Sequence, residues 1–207
     1  MTVEVFRDAR GDARIVSATT TVLRRRWGWE GFCTPSVQVD TSPDTLADDV
    51  KLVVRVARLF DDVWRSMDLG SRRALLATFW KTPPGVFIFS RLARDAVGTH
   101  QARENRSDIL LSRKFVEEVS DQSVRSLIAH ELAHGVVAAR GGTGEPWAAA
   151  NEPESEEHEW VDNLLLEWGH DSDELHHEIR RIFPLSAADL AEMRAEVDAA
   201  RAAAEAR

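Results

Sequence analysis

His130-Glu131-Leu132-Ala133-His134 is the stretch from which the rest of this chain can be read. On a helix, residues four apart lie one turn apart on the same face, so both imidazoles can reach one metal ion. Glu131 would stand about 100° round the helix from His130, near enough to touch a water on that metal without ligating it. Val124, Leu127, Ile128, Leu132 and Val136 recur at helical spacing around the motif and place its helix in the core. Interior imidazoles beside a carboxylate are costly to desolvate, and a bound metal is the expected reason for keeping them there. Ser120 or Asp121 is the expected cap of this helix, and Arg140-Gly141-Gly142 its expected stop.

Upstream, Asp108-Ile109-Leu110-Leu111-Ser112 and Val86-Phe87-Ile88-Phe89 have the β propensity of short buried strands. Ala96-Val97-Gly98 is a weaker strand, residues 103–107 a polar turn, and residues 115–119 one helical turn. Apolar residues from Leu46 through Val53, Phe60 and Trp64 to Met67 recur at three and four, which predicts an amphipathic helix. Ser42-Pro43-Asp44 marks its start, with Ser or Asp as cap, and Gly70 its break. A second helix is expected over 72–80, stopped by Thr82-Pro83-Pro84-Gly85. Nearer the N-terminus, residues 3–6 and 19–23 predict strands about a turn at 8–12, and Trp27, Trp29 and Phe32 a packed loop. Downstream, residues 143–153 read as a loop, 154–168 as an acidic helix and 172–183 as an amphipathic one. Ser186-Ala187-Ala188-Asp189 resembles a capping box opening a last, Ala-rich helix.

Composition narrows the classes of function. The 207 residues are 43% hydrophobic, with seven Trp and eight Phe to fill a core. A formal net charge of −9 argues against a general nucleic-acid or anionic-membrane binder, because phosphate contact needs clustered Lys and Arg. Cys33 is the single cysteine, so no intramolecular disulfide and no cysteine-based zinc site can form. No stretch approaches the roughly 20 apolar residues of a membrane span, and residues 1–10 carry charges where a signal core would be apolar. The expectation is a soluble cytoplasmic protein. There is no tyrosine.

Leu127-Ile128-Ala129-His130-Glu131-Leu132-Ala133-His134 resembles the active-site helix of the zincin metallopeptidases. The strand over residues 109–112 leading into it is similar to that of small intracellular groups such as the SprT-like and ImmA/IrrE-like proteins. The resemblance covers residues 86–170 and implies a third zinc ligand on a later helix. In the gluzincin pattern that ligand is a Glu, followed three residues on by a small apolar residue and four on by Asp or Asn. Placing Val161-Asp162 in the last two positions puts the ligand at His158, and a third His is what the SprT-like group uses. Glu159 as ligand would put Asp162 where a buried apolar residue belongs; Glu157 lies on the apolar face but lacks an acid four residues on; Glu156 is a further alternative. Asp162 would hold a ligand histidine in its tautomer.

The resemblance implies an α+β fold: a zincin-like domain over 82–184, with a small mixed sheet packed on the active-site helix. Residues 1–81 would add short strands and two helices, and 185–207 a C-terminal helix able to dock a protein partner. The implied function is a zinc-dependent peptidase acting on a peptide or protein substrate. Three protein ligands leave zinc a position for water, whose pKa the metal lowers to about 7. Glu131 is the expected general base. Lacking Tyr, the oxyanion donor would be His170, His176, His177 or Arg140. An extended substrate would pair with an edge strand somewhere between residues 86 and 112. Two other functions share the motif: a regulatory or interaction module that keeps zinc for structure, and a zinc hydrolase of a non-peptide amide.

Overall fold

Among the described residues, six strands and six helices form an α+β fold around one mixed sheet. The structure, a computed structural model, describes residues 1–19, 36–78, 85–90, 97–103, 106–140 and 156–184, without the side chains of 77, 78, 102, 103, 106, 107 and 156–158. The strands are β1 (Thr2–Arg7), β2 (Ala13–Thr19), β3 (Ser36–Asp40), β4 (Gly85–Phe89), β5 (Gly98–Arg103) and β6 (Arg106–Ser112). They lie in the order β1-β2-β3-β4-β6-β5, so β1 and β5 are the two edges. β1, β2 and β3 form an antiparallel meander, β3–β4 and β4–β6 pair in parallel, and β5 runs antiparallel to β6.

Parallel neighbours need a long crossover. Between β3 and β4 the chain supplies helices α1 (Leu46–Ser66) and α2 (Leu69–Thr78). After β6 come α3 (Arg113–Glu118), α4 (Asp121–Ala139), α5 (Glu156–Glu167) and α6 (Ser172–Ile182). Because β3 pairs with β4, the sheet runs through the division expected at 81/82. The C-terminal helix expected over 185–207 and the aromatic loop at 27–32 lie outside the described residues. No described helix is long and apolar enough to cross a membrane.

The two-residue alternation of each strand selects the core face. Two rows of side chains cross the sheet: Val3, Ala18, Val37, Val86, Ile109 and His100, then Val5, Val16, Val39, Ile88, Leu111 and Gly98. The four central members of each row are fully buried. α1 lies across β2 and β3, and α4 packs on α1, α2, α5, α6, β5 and β6. The hydrophobic rows therefore end, on β5, at one histidine and one glycine facing the helix that carries the motif.

Local chemistry places several boundaries elsewhere than expected. Neither Ser42 nor Asp44 caps α1; its boundary residue is Thr45, whose hydroxyl bonds Ser42 at 3.0 Å. The helix ends at Met67, ahead of Gly70, because Asp68 accepts the Ser71 N–H at 2.9 Å and starts a new helix that contains Gly70. The hairpin β1–β2 turns at 8–12 as expected, through Asp8 Oδ1, but its second strand precedes the run at 19–23. Arg55 of α1 satisfies the carbonyls at the end of α3, donating to Val116 O at 2.5 Å and Val119 O at 3.0 Å.

Candidate functional site

The helix bearing the motif is held on nearly every side. Ser120 caps it, accepting the Ser123 N–H at 3.1 Å. Val124, Leu127, Ile128, Ala129, Leu132, Ala133 and Val136 are all buried, as the spacing of the apolar residues predicts. His130 and His134 are only partly buried, one turn apart. Their Nε2 atoms approach to 3.1 Å, with ring centroids 4.7 Å apart and planes at 78°. In this arrangement one ring can donate to the other only if their tautomers are complementary. The same separation suits a shared metal: zinc–nitrogen bonds of about 2.0–2.1 Å at a tetrahedral angle put two donors about 3.3 Å apart. The pair thus has the bite of a zinc chelate.

Glu131, between them in sequence, is turned inward and is 4% exposed. Burial pushes its pKa up to about 8, while a hydrogen bond donated by the His100 backbone N–H pulls the other way. The carboxylate sits against Gly98 of β5, where any Cβ would overlap its Oε1 and come within 2.9 Å of the Leu127 Cδ1 methyl. Glycine is needed there for close approach of strand and helix. One helical turn on, a Cβ at Gly135 would lie 3.0 Å from His100 Nε2 and 2.8 Å from a Leu75 methyl. Gly98 and Gly135 together let β5 settle onto α4.

His100 is the residue that sequence reasoning missed. Burial, and then the nearby charge of His134, bring its pKa down to about 4, so its imidazole is neutral near pH 7. Its strand, Gly-Thr-His-Gln-Ala-Arg, has no apolar run to announce it. Only the cross-strand register, which places His100 opposite Ile109 on the core face, exposes its position beside the motif.

α5, the helix on which the third ligand was expected, packs against α4. Val161, Leu164, Leu165 and Trp168 are buried, Asp162 is partly buried, and Glu159 and Asn163 are exposed. Residues 156–158 belong to α5, but the side chains of Glu156, Glu157 and His158 lie outside the described set. Among the described residues, no group of three His, Cys, Asp or Glu is placed to hold a metal ion.

The end of α5 is pinned elsewhere. His170 is buried and its Nε2 lies 3.2 Å from Ser66 Oγ, while Arg140 donates to Ser71 Oγ at 3.0 Å. Trp168 Nε1 donates to Asp68 at 3.3 Å. Burial alone would raise the Asp68 pKa, but hydrogen bonds from Ser71, Trp168 and Gly70 outweigh it and hold it at about 2. His170 and Arg140, two of the four residues expected as oxyanion donors, are thus engaged at the α1–α2 corner. His176 and His177 lie on α6, partly buried and exposed respectively. Comparison of the chain with protein-family models, with curated proteins and with solved structures finds no match.

Proposed function

We propose that this chain is a zinc-dependent peptidase of zincin-like architecture, with His130, His134 and His158 holding the metal and Glu131 as general base. The observation that carries the reading is the convergence of the His130 and His134 Nε2 atoms to 3.1 Å beside a buried Glu131 carboxylate. Zinc, when bound, would acidify water and polarise a substrate carbonyl. Glu131 takes the proton from the water as its oxygen bonds the carbonyl carbon, and gives it to the amine as the carbon–nitrogen bond breaks. Asp162 orients a ligand histidine by accepting its second ring N–H. The strand β5, an edge of the sheet among the described residues and antiparallel to β6, offers its outer side to an extended polypeptide. A lone cysteine agrees with the reducing cytoplasm as its setting.

The test is proteolysis of an unfolded protein such as denatured casein by the zinc-loaded chain and its Glu131→Gln variant. Turnover should fall about 10²–10⁴-fold in the variant while zinc stays at one equivalent per chain. Equal turnover in both would sink the peptidase reading. Single replacement of His158, Glu157 and Glu159 by Ala, read as zinc retained after dialysis, assigns the third ligand; loss at His158 alone is the expected outcome.

A further inference from the structure

In an antiparallel pair, successive residues alternate between facing the partner strand and facing away from it. The Ser112 N–H donates to Val97 O at 2.8 Å. Residues 97 and 112 continue the register that pairs Gly98 with Leu111 and His100 with Ile109. Odd-numbered residues of β5 therefore direct their N–H and C=O groups to β6, and Gly98 and His100 turn theirs away from it, to the outer edge of the sheet among the described residues. This is why the His100 N–H can bond the Glu131 carboxylate and not β6. The carboxylate reaches it through the notch left where Gly98 has no side chain.

An extended peptide adding to this edge meets the same backbone groups. One N–H cannot serve a carboxylate and a peptide carbonyl together at full strength. We propose that the His100 N–H is a latch: it holds the Glu131 carboxylate under β5 in the resting protein and passes to a main-chain carbonyl of an extended peptide that pairs with the strand, freeing the base. The role given to Glu131 rests on the peptidase reading; the exchange of partners at His100 does not. The latch also selects the substrate class. An extended, unfolded polypeptide opens it, whereas an amide too short to reach His100 leaves the base held. His100 acts through its backbone as a positioning residue.

Two measurements on the full chain test this. The first is amide hydrogen exchange at His100, followed by NMR in wild type and Glu131→Ala without peptide. Exchange should be about tenfold faster in the variant, as befits the loss of a hydrogen bond to a buried carboxyl group. The amides of Thr99 and Gln101, which face β6, should keep their rates and show that the strand is still paired. Glu131→Leu serves if the alanine variant does not fold. Equal exchange at His100 in wild type and variant overturns the latch. The second uses the zinc-loaded wild type and quenched-fluorescence peptides lengthened one residue at a time around a bond cut in casein. The value of kcat should rise about tenfold or more at the length that reaches His100, and fall again when the accepting amide is replaced by an ester, a weaker acceptor. Cleavage with kcat indifferent to length and to the ester overturns the latch and leaves the peptidase standing. Failure to cut any peptide overturns the peptidase reading alone, and the exchange rate at His100 then decides the latch.

Discussion

Two of the carboxylates buried among the described residues, Asp49 and Glu131, are held in opposite ways. Asp49 of α1 has no exposed surface; Arg113 Nη2 stands 2.7 Å from its Oδ1, and the Thr41 hydroxyl donates to its Oδ2 at 2.6 Å. It closes an ionic clamp between α1, α3 and the segment entering α1. Glu131 is almost as deeply buried, yet burial raises its pKa to about 8, and among the described residues it is the His100 N–H that acts against this. A buried carboxylate matched by a cation does structural work, since taking away either partner strands a charge. One left largely uncompensated weakens the fold, and such groups gather where a protein does chemistry. Under the proposed function, Asp49 belongs to the frame and Glu131 to the site.

The sharpest way to break that contrast is to exchange each acid and read activity and stability separately. Glu131→Gln keeps the shape and removes the base, so turnover should fall about 10²–10⁴-fold. Its urea midpoint should stay at or above that of wild type, because no charge need be buried. Asp49→Ala should do the reverse. It should lose about 3 kcal/mol of stability in urea denaturation, because Arg113 is stranded at the α1–α3 contact. Its turnover per zinc-loaded molecule should be unchanged. If Asp49→Ala were silent in urea, the clamp would not be structural.

A smaller effect tests the fit of β5 over Glu131. Gly98→Ala inserts a methyl between strand, carboxylate and Leu127, for an expected loss of about 1–3 kcal/mol. It should also slow turnover, measured at equal zinc content; an unaffected protein would mean that β5 does not lie close upon α4. The smallest effect concerns His170, whose pKa is lowered by burial and then by the charge of Arg125. A histidine that is harder to protonate folded than unfolded contributes stability above its ordinary value of about 6.5, lost as pH falls toward its folded pKa. Stability should therefore decline below pH 6.5 in wild type and decline less in His170→Phe, as followed by thermal unfolding at several pH values.

Much of this arrangement was legible in the sequence, for identifiable reasons. α1 is long and strongly periodic, α4 is long and apolar on nearly every side, and β4 and β6 carry the short apolar runs Val86–Phe89 and Ile109–Leu111. β3, Ser36-Val37-Gln38-Val39-Asp40, has only two apolar residues and escaped notice, though both are buried. The chain reverses between β5 and β6 within the turn expected at 103–107, but β5 itself was expected near 96–98, because an edge strand with one covered face needs few apolar residues. Its misplacement hid His100, whose relevance comes from register across the sheet and not from any local pattern. The break before α2 was assigned to Gly70, whereas the capping carboxylate of Asp68 decides it. The helix that carries the motif is local and could be read directly; what surrounds the motif is set by pairing between distant segments.

The central claim is that His130 and His134 share a zinc ion that keeps one position open for chemistry. The most direct measurement is an anomalous difference map at the zinc absorption edge from crystals of the zinc-loaded chain. The account predicts one peak bonded to His130 Nε2 and His134 Nε2, with a single further protein ligand, His158, and one position not filled by protein. A peak enclosed by four protein ligands, or none between the two imidazoles, would contradict it.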